Sequence, residues 1–132
     1  MKNRCESCTF LLRSNNLGSL IGRLFILEGT NYEMKTITIC GSMKFAEQMK
    51  QIAWKLEIEQ GVNVLQCAYN EWNELITDDA LKHLTSAHYK KIDLCDAVYI
   101  VDIDGYIGSS VEQEISYAKE NGKELIFHSS QL

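Results

Sequence analysis

A chain of 132 residues with 45% hydrophobic content and a net charge of −5 suits one domain that buries its own core without disulfide staples. No basic stripe is present to neutralise phosphates, so a nucleic-acid polymer is not an expected partner. No run reaches the length of a membrane span and no secretory signal stands out. Five cysteines, an odd number, suit reduced thiols, so a cytoplasmic protein without a membrane partner is expected.

Residues 1–33 differ from the rest of the chain. Lys2, Arg4, Arg13 and Arg23 against Glu6, Glu28 and Glu33 leave this stretch at +1 and the remainder at −6. It shows no sustained period, and Met34 stands immediately before the first clear strand. The expectation is an N-terminal extension over 1–33, either disordered or an upstream reading of the true start, followed by one domain over 34–132. The alternative is an added helix around Leu17–Leu27 that packs on the domain or on a partner. Cys5-Glu-Ser-Cys8 is half of a zinc site with no second pair, and no metal or organic cofactor is expected.

From Lys35 the elements alternate. A strand is expected over 35–40, with Ile37 and Ile39 alternating with threonines. It stops at Gly41-Ser42 and turns into a helix over 43–60, whose apolar face is Phe45, Met49, Ile52, Ala53 and Leu56. Gly61 is a good helix stop. A strand over 62–67 follows, then a loop carrying Tyr69, Asn70, Glu71, Trp72 and Asn73. A helix over 78–91 starts at Asp78-Asp79, with Leu81, Leu84 and His88 at helical spacing. A strand over 97–103, a Gly-Ser loop, a helix over 110–121 stopped at Asn121-Gly122, and a strand over 124–128 complete the order. The fold class implied is α/β: a small three-layer sandwich with a mostly parallel sheet of four or five strands, flavodoxin/Rossmann-like.

Two of the strand-to-helix corners carry chemistry. The first N–H groups of a helix are unpaired and favour anions. At the first corner Gly41 permits close approach or an unusual φ, Ser42 supplies a hydroxyl, and Lys44 supplies a charge. An ordinary capped turn reads the same way, and neither a dinucleotide nor an ATP signature is present. At the second corner Ser109 or Ser110 is the expected N-cap, and Ser110 with Gln113 has capping-box spacing. Glu114 there is either a first-turn glutamate favoured by the helix dipole or a functional carboxylate near the carboxyl edge of the sheet. Both corners and the Tyr69–Asn73 loop should meet at that edge and form a pocket, where Tyr69 or Trp72 could stack a base. Two helix N-termini and Lys44 at one edge favour a ligand with a 5′-phosphate.

With these residues on view, 35–128 resemble the nucleoside 2-deoxyribosyltransferases and the related 2′-deoxynucleoside 5′-monophosphate N-glycosidases. The matching pieces are Ile39-Cys-Gly-Ser-Met-Lys-Phe45, Lys91-Ile-Asp-Leu-Cys-Asp-Ala-Val98 and Gly108-Ser-Ser-Val-Glu-Gln-Glu-Ile-Ser-Tyr-Ala118. The last is similar to the family's Gly-Thr-x-x-Glu-x-Gly-x-Ala, with Ser116 where the family often has glycine. The resemblance implies that Glu114 is a nucleophile at the anomeric carbon of a nucleoside or nucleotide. It puts His88 where the family often has an aspartate acid, leaving His88 as acid or as a packed helix residue. Asp93, Asp102 and Asp104 are the carboxylates that would compensate; Asp102 or Asp104 is better placed for a sugar hydroxyl, while Asp93 and Asp96 brace the following strand. Implied substrate contacts are Cys40, Gly41, Ser42, Met43, Lys44, Tyr69, Gly108, Ser109 and Ser110, with Glu114, His88 and Asp104 as the catalytic set. A homodimer or larger homo-oligomer is implied, since family members complete their pocket with a neighbouring subunit. The competing expectation is a catalytically silent nucleotide-binding or sensing domain.

Overall fold

The structure, a computed structural model, describes residues 33–132. The expectations for 1–32, including Cys5-Glu-Ser-Cys8 and the helix around Leu17–Leu27, lie outside the described residues. The α/β unit runs from Met34 to Leu132. Its elements are β1 (Thr36–Gly41), α1 (Ala46–Gln60), β2 (Asn63–Leu65), α2 (Asp78–Leu94), β3 (Ala97–Val101), α3 (Ser109–Glu120) and β4 (Glu124–Phe127). Short 3-10 turns occupy Met43–Phe45, Ile103–Gly105 and His128–Gln131. The sheet has four strands in the order β2-β1-β3-β4, all parallel. This is the flavodoxin/Rossmann-like sandwich, and the direction of its strand order reverses between β1 and β3, where such sheets open a crevice at their carboxyl edge.

The period of two along each strand divides the core. Ile37 and Ile39 of β1, with Ala97, Tyr99 and Val101 of β3, pack on Met49, Ala53 and Leu56 of α1. Cys40, Val98 and Ile100 face the other way, onto Ile92 of α2, Cys95 just after it, and Val111 and Ala118 of α3. Ile39 and Ile100 are fully buried, and burial of each side chain contributes about 1.5–3 kcal/mol. Thr38 shares the second face, and its hydroxyl donates to the Lys91 carbonyl at 2.7 Å, tying β1 to α2. Asp96 accepts the Thr36 N–H at 2.8 Å, and Asp93 accepts the Tyr117 hydroxyl at 2.6 Å, so both act as braces.

Several element ends depart from the sequence reading. β3 ends at Val101, two residues early, because the Asp102 carboxylate turns away to accept the Ser129 N–H (2.8 Å) and hydroxyl (2.6 Å). β2 stops at Leu65, whereas α2 continues to Leu94. The first helix is preceded by the 3-10 turn, in which Ser42 accepts the Lys44 N–H at 3.4 Å. At α3 the N-cap is Gly108, with no side-chain cap; the Glu112 N–H bonds back to its carbonyl at 3.0 Å. Neither Ser109 nor Ser110 therefore caps α3. Starting one residue early puts Glu112 in the first turn and Glu114 in the second.

Gly41 is explained by close approach. A Cβ there would stand 3.0 Å from the Met49 sulfur and 3.1 Å from the Val101 Cβ. Gly61 instead ends α1 in the left-handed region, at φ 62°, donating its N–H to Glu57.

Candidate active site

A cavity of about 530 Å³ opens beside the carboxyl ends of β1 and β2. Its walls are Gly41 and Met43 after β1, Ala46, Glu47 and Lys50 of α1, residues 67–71 with Asn73 after β2, one face of α2, and Glu114 from α3. The α2 face is the run Leu81, Leu84, His88 and Lys91, spaced so that all four project to one side. A smaller hollow of about 320 Å³ between α1 and residues 66–71 shares Lys50, Tyr69 and Glu71 with it but reaches neither His88 nor Glu114.

The floor is a polar cluster. His88 Nε2 lies 3.3 Å from Glu114 Oε2 and 3.2 Å from Cys40 Sγ. On the other side of the ring, Nδ1 is 4.0 Å from Cys67 Sγ, and that thiol donates to the Ile39 carbonyl at 3.5 Å. The His88 and Glu114 side chains are only 13% and 16% exposed, so their attraction is little screened by water. Burial pushes the imidazole pKa down. Its hydrogen bond to Cys67, followed by the hydrogen bond and charge of Glu114, outweigh that and lift it to about 9. Near neutral pH the pair is an imidazolium against a carboxylate. Burial, reinforced by the charge and hydrogen bond of Glu114, pushes the Cys40 thiol well above its usual range. Cys40 is fully buried, and a neutral thiol there is a poor nucleophile.

Of the residues singled out in the sequence, Gly41, Met43, Tyr69, His88 and Glu114 line the cavity. Cys40 lies beneath it against His88. Ser42, Lys44, Gly108, Ser109 and Ser110 are not in its walls. The Lys44 ammonium sits 3.1 Å from the centre of the Tyr106 ring, so its charge is turned onto an aromatic face. Asp104 is exposed on the turn after β3, at φ 54°, outside the cavity. Asp102 is committed to Ser129, whose hydrogen bonds outweigh burial and hold its carboxyl below the usual range. Trp72 is 79% exposed and outside the walls, which leaves Tyr69 as the lining aromatic. The Tyr69 hydroxyl is buried with no hydrogen-bond partner, and burial first of all pushes its pKa up to about 12. It stays a neutral donor.

Sequence reasoning missed Cys67, Lys50 and Lys91. Cys67 lies two residues past the end of β2, and no local pattern marked it as part of the site. Lys50 holds Glu47 at 3.0 Å and also pairs with Glu71, and Lys91 donates to the Gln66 carbonyl at 2.7 Å. Both lining lysines are thus already partnered. Among the described residues no helix is long and apolar enough to cross a membrane. In comparisons with known proteins, no family model matches the chain, and no curated protein matches it either.

Proposed function

We propose that this pocket breaks or transfers the N-glycosidic bond of a (deoxy)nucleoside or nucleoside 5′-monophosphate, with Glu114 as the nucleophile. The observation that carries the reading is a mostly buried carboxylate in the wall of a nucleoside-sized cavity at the carboxyl edge of a parallel sheet. In the proposed reaction a Glu114 oxygen bonds to the anomeric carbon as the carbon–nitrogen bond breaks. The electron pair leaves with the base, which takes up a proton. Water or a second base then attacks the glycosyl ester and restores the carboxylate. Tyr69 is the lining aromatic against which the base would stack.

The contact of 3.3 Å supports a positioning role for His88 in this reading. Nucleophile and leaving base lie on opposite faces of the sugar carbon, and a carboxyl pair of this kind stands about 5–5.5 Å apart in retaining glycosidases. His88 is on the nucleophile's own side, so it holds and orients Glu114.

One observation favours a second reading, a silent nucleotide-binding or sensing domain. An imidazolium against Glu114 stabilises the negative charge that an attacking carboxylate must give up. Incubating the protein with a panel of nucleosides and monophosphates, with and without a second base, separates the readings by chromatography. Released or exchanged base is expected; binding with no base released from any member of the panel would leave the silent domain.

Ile76, Leu81 and Leu84 line the cavity and are exposed apolar side chains, and Trp72 and Leu75, close by in sequence, are exposed as well. Their exposure supports a homo-oligomer that covers this edge.

A further inference from the structure

We propose that Cys40, His88 and Glu114 form a binding site for a divalent transition-metal ion of the zinc type. One ligand atom from each residue lies within 4.8 Å of the others. Two of the three edges are measured: Cys40 Sγ to His88 Nε2 at 3.2 Å and His88 Nε2 to Glu114 Oε2 at 3.3 Å. Zinc bonds of about 2.3 Å to sulfur and 2.0–2.2 Å to nitrogen and oxygen, at tetrahedral angles, put neighbouring ligands about 3.3–3.6 Å apart. The two measured edges stand close to those separations, the sulfur–nitrogen edge slightly short of them, and the Cys40–Glu114 edge is no longer than 4.8 Å.

The donors come from three different elements, β1, α2 and α3, each fixed by the core. Cys40 and His88 already stand in contact, at 3.2 Å. A thiolate, an imidazole and a carboxylate together suit zinc and disfavour magnesium and calcium, which take oxygen ligands. The ion enters from the cavity, because His88 and Glu114 line it while Cys40 lies beneath. That leaves the fourth position facing the cavity, open to water or a ligand. Cys67 at Nδ1 backs the imidazole as an outer partner that sets the ring's orientation.

Coordination displaces the Cys40 thiol proton and the His88 Nε2 proton to solvent, and no electron is transferred. An ion there takes the Glu114 carboxylate as a ligand, so zinc would compete with any substrate for it. That consequence rests on the proposed function above; the binding itself does not.

The test uses the full chain, reduced and stripped with a chelator, titrated with Co²⁺ by absorption and with Zn²⁺ against a chromophoric chelator. Because Cys5 and Cys8 are a rival thiol pair, the variant Cys5→Ser/Cys8→Ser is measured beside the native protein. The expected result is one ion per chain in both. Co²⁺ should give sulfur-to-cobalt charge transfer in the near ultraviolet and the visible bands of a four-coordinate ion. Cys40→Ala should abolish the charge transfer and weaken Zn²⁺ at least about a hundredfold. Glu114→Gln, which leaves the core untouched, should weaken Zn²⁺ about ten- to a hundredfold and keep the charge transfer. Absence of charge transfer in the Cys5→Ser/Cys8→Ser protein overturns the site. So does a Zn²⁺ affinity unchanged by Glu114→Gln, which decides the matter even if Cys40→Ala does not fold.

Discussion

His88 on α2 reaches 3.3 Å across to Glu114 in the second turn of α3, and Cys40 at the end of β1 closes the same cluster at 3.2 Å from the imidazole. Three secondary-structure elements thus fix one carboxylate in place. Glu114→Gln keeps the shape and removes the charge. Base release should fall at least about a thousandfold, with the unfolding transition still cooperative. The His88 titration, followed by NMR, should move down from about 9 as the charge and hydrogen bond that raise it are lost. Full activity in the mutant would move the nucleophile elsewhere, with Glu112 the next carboxylate to examine.

The same cluster predicts a pH dependence of stability. His88 rises from 6.5 in the unfolded chain to about 9 in the fold, so the stability it contributes is fully present below pH 6.5. It declines as pH climbs from 6.5 and is gone above about 9. Cys40, also raised, extends the decline to more alkaline pH, because the unfolded thiol loses its proton first. Urea midpoints across this range should fall in the native protein and fall less in His88→Gln. A midpoint that rises with pH between 6.5 and 9 would contradict the pairing.

Gly41→Ala tests the close approach of β1 to α1 and β3. Met49 can swing its thioether aside, but the Val101 Cβ at 3.1 Å is anchored to the sheet. A loss of about 1–3 kcal/mol is expected in denaturant unfolding. A neutral substitution would mean that the strand and helix are free to separate.

Charge in the cavity bears on the ligand's phosphate. Lys44 is turned onto Tyr106, and the lining Lys50 and Lys91 are already partnered. We predict that a 5′-phosphate adds less than about tenfold to affinity, against roughly ten- to a hundredfold for a charge-assisted phosphate site. Calorimetric titration with matched nucleosides and monophosphates measures this. A gain of a hundredfold would restore the phosphate reading that the sequence suggested.

The parallel α/β order was legible because β1 and β3 are rich in β-branched residues, and each helix repeats its apolar residues on one face. Ile37 and Ile39 against Met49, Ala53 and Leu56 is a pattern that local sequence carries. The cavity floor was less legible. Whether His88 packs beside Leu84 or faces a carboxylate depends on how α2 is rotated against α3, a tertiary matter that period alone leaves open. Ser109 and Ser110 have the composition of a cap, yet Gly108, itself extended at φ −80° and ψ 165°, takes that place. The role of Asp102 depends on Ser129, 27 residues away, and no local signal announces such a partner.

Trapping the glycosyl ester tests the nucleophile most directly. The native protein and Glu114→Gln are each mixed with deoxynucleosides, quenched in acid and weighed intact by mass spectrometry, then digested to locate any adduct. A sugar without its base, attached to Glu114 in the native protein and absent from Glu114→Gln, is the predicted result. Base release by a native protein that carries no adduct, at a rate unchanged in Glu114→Gln, would contradict it.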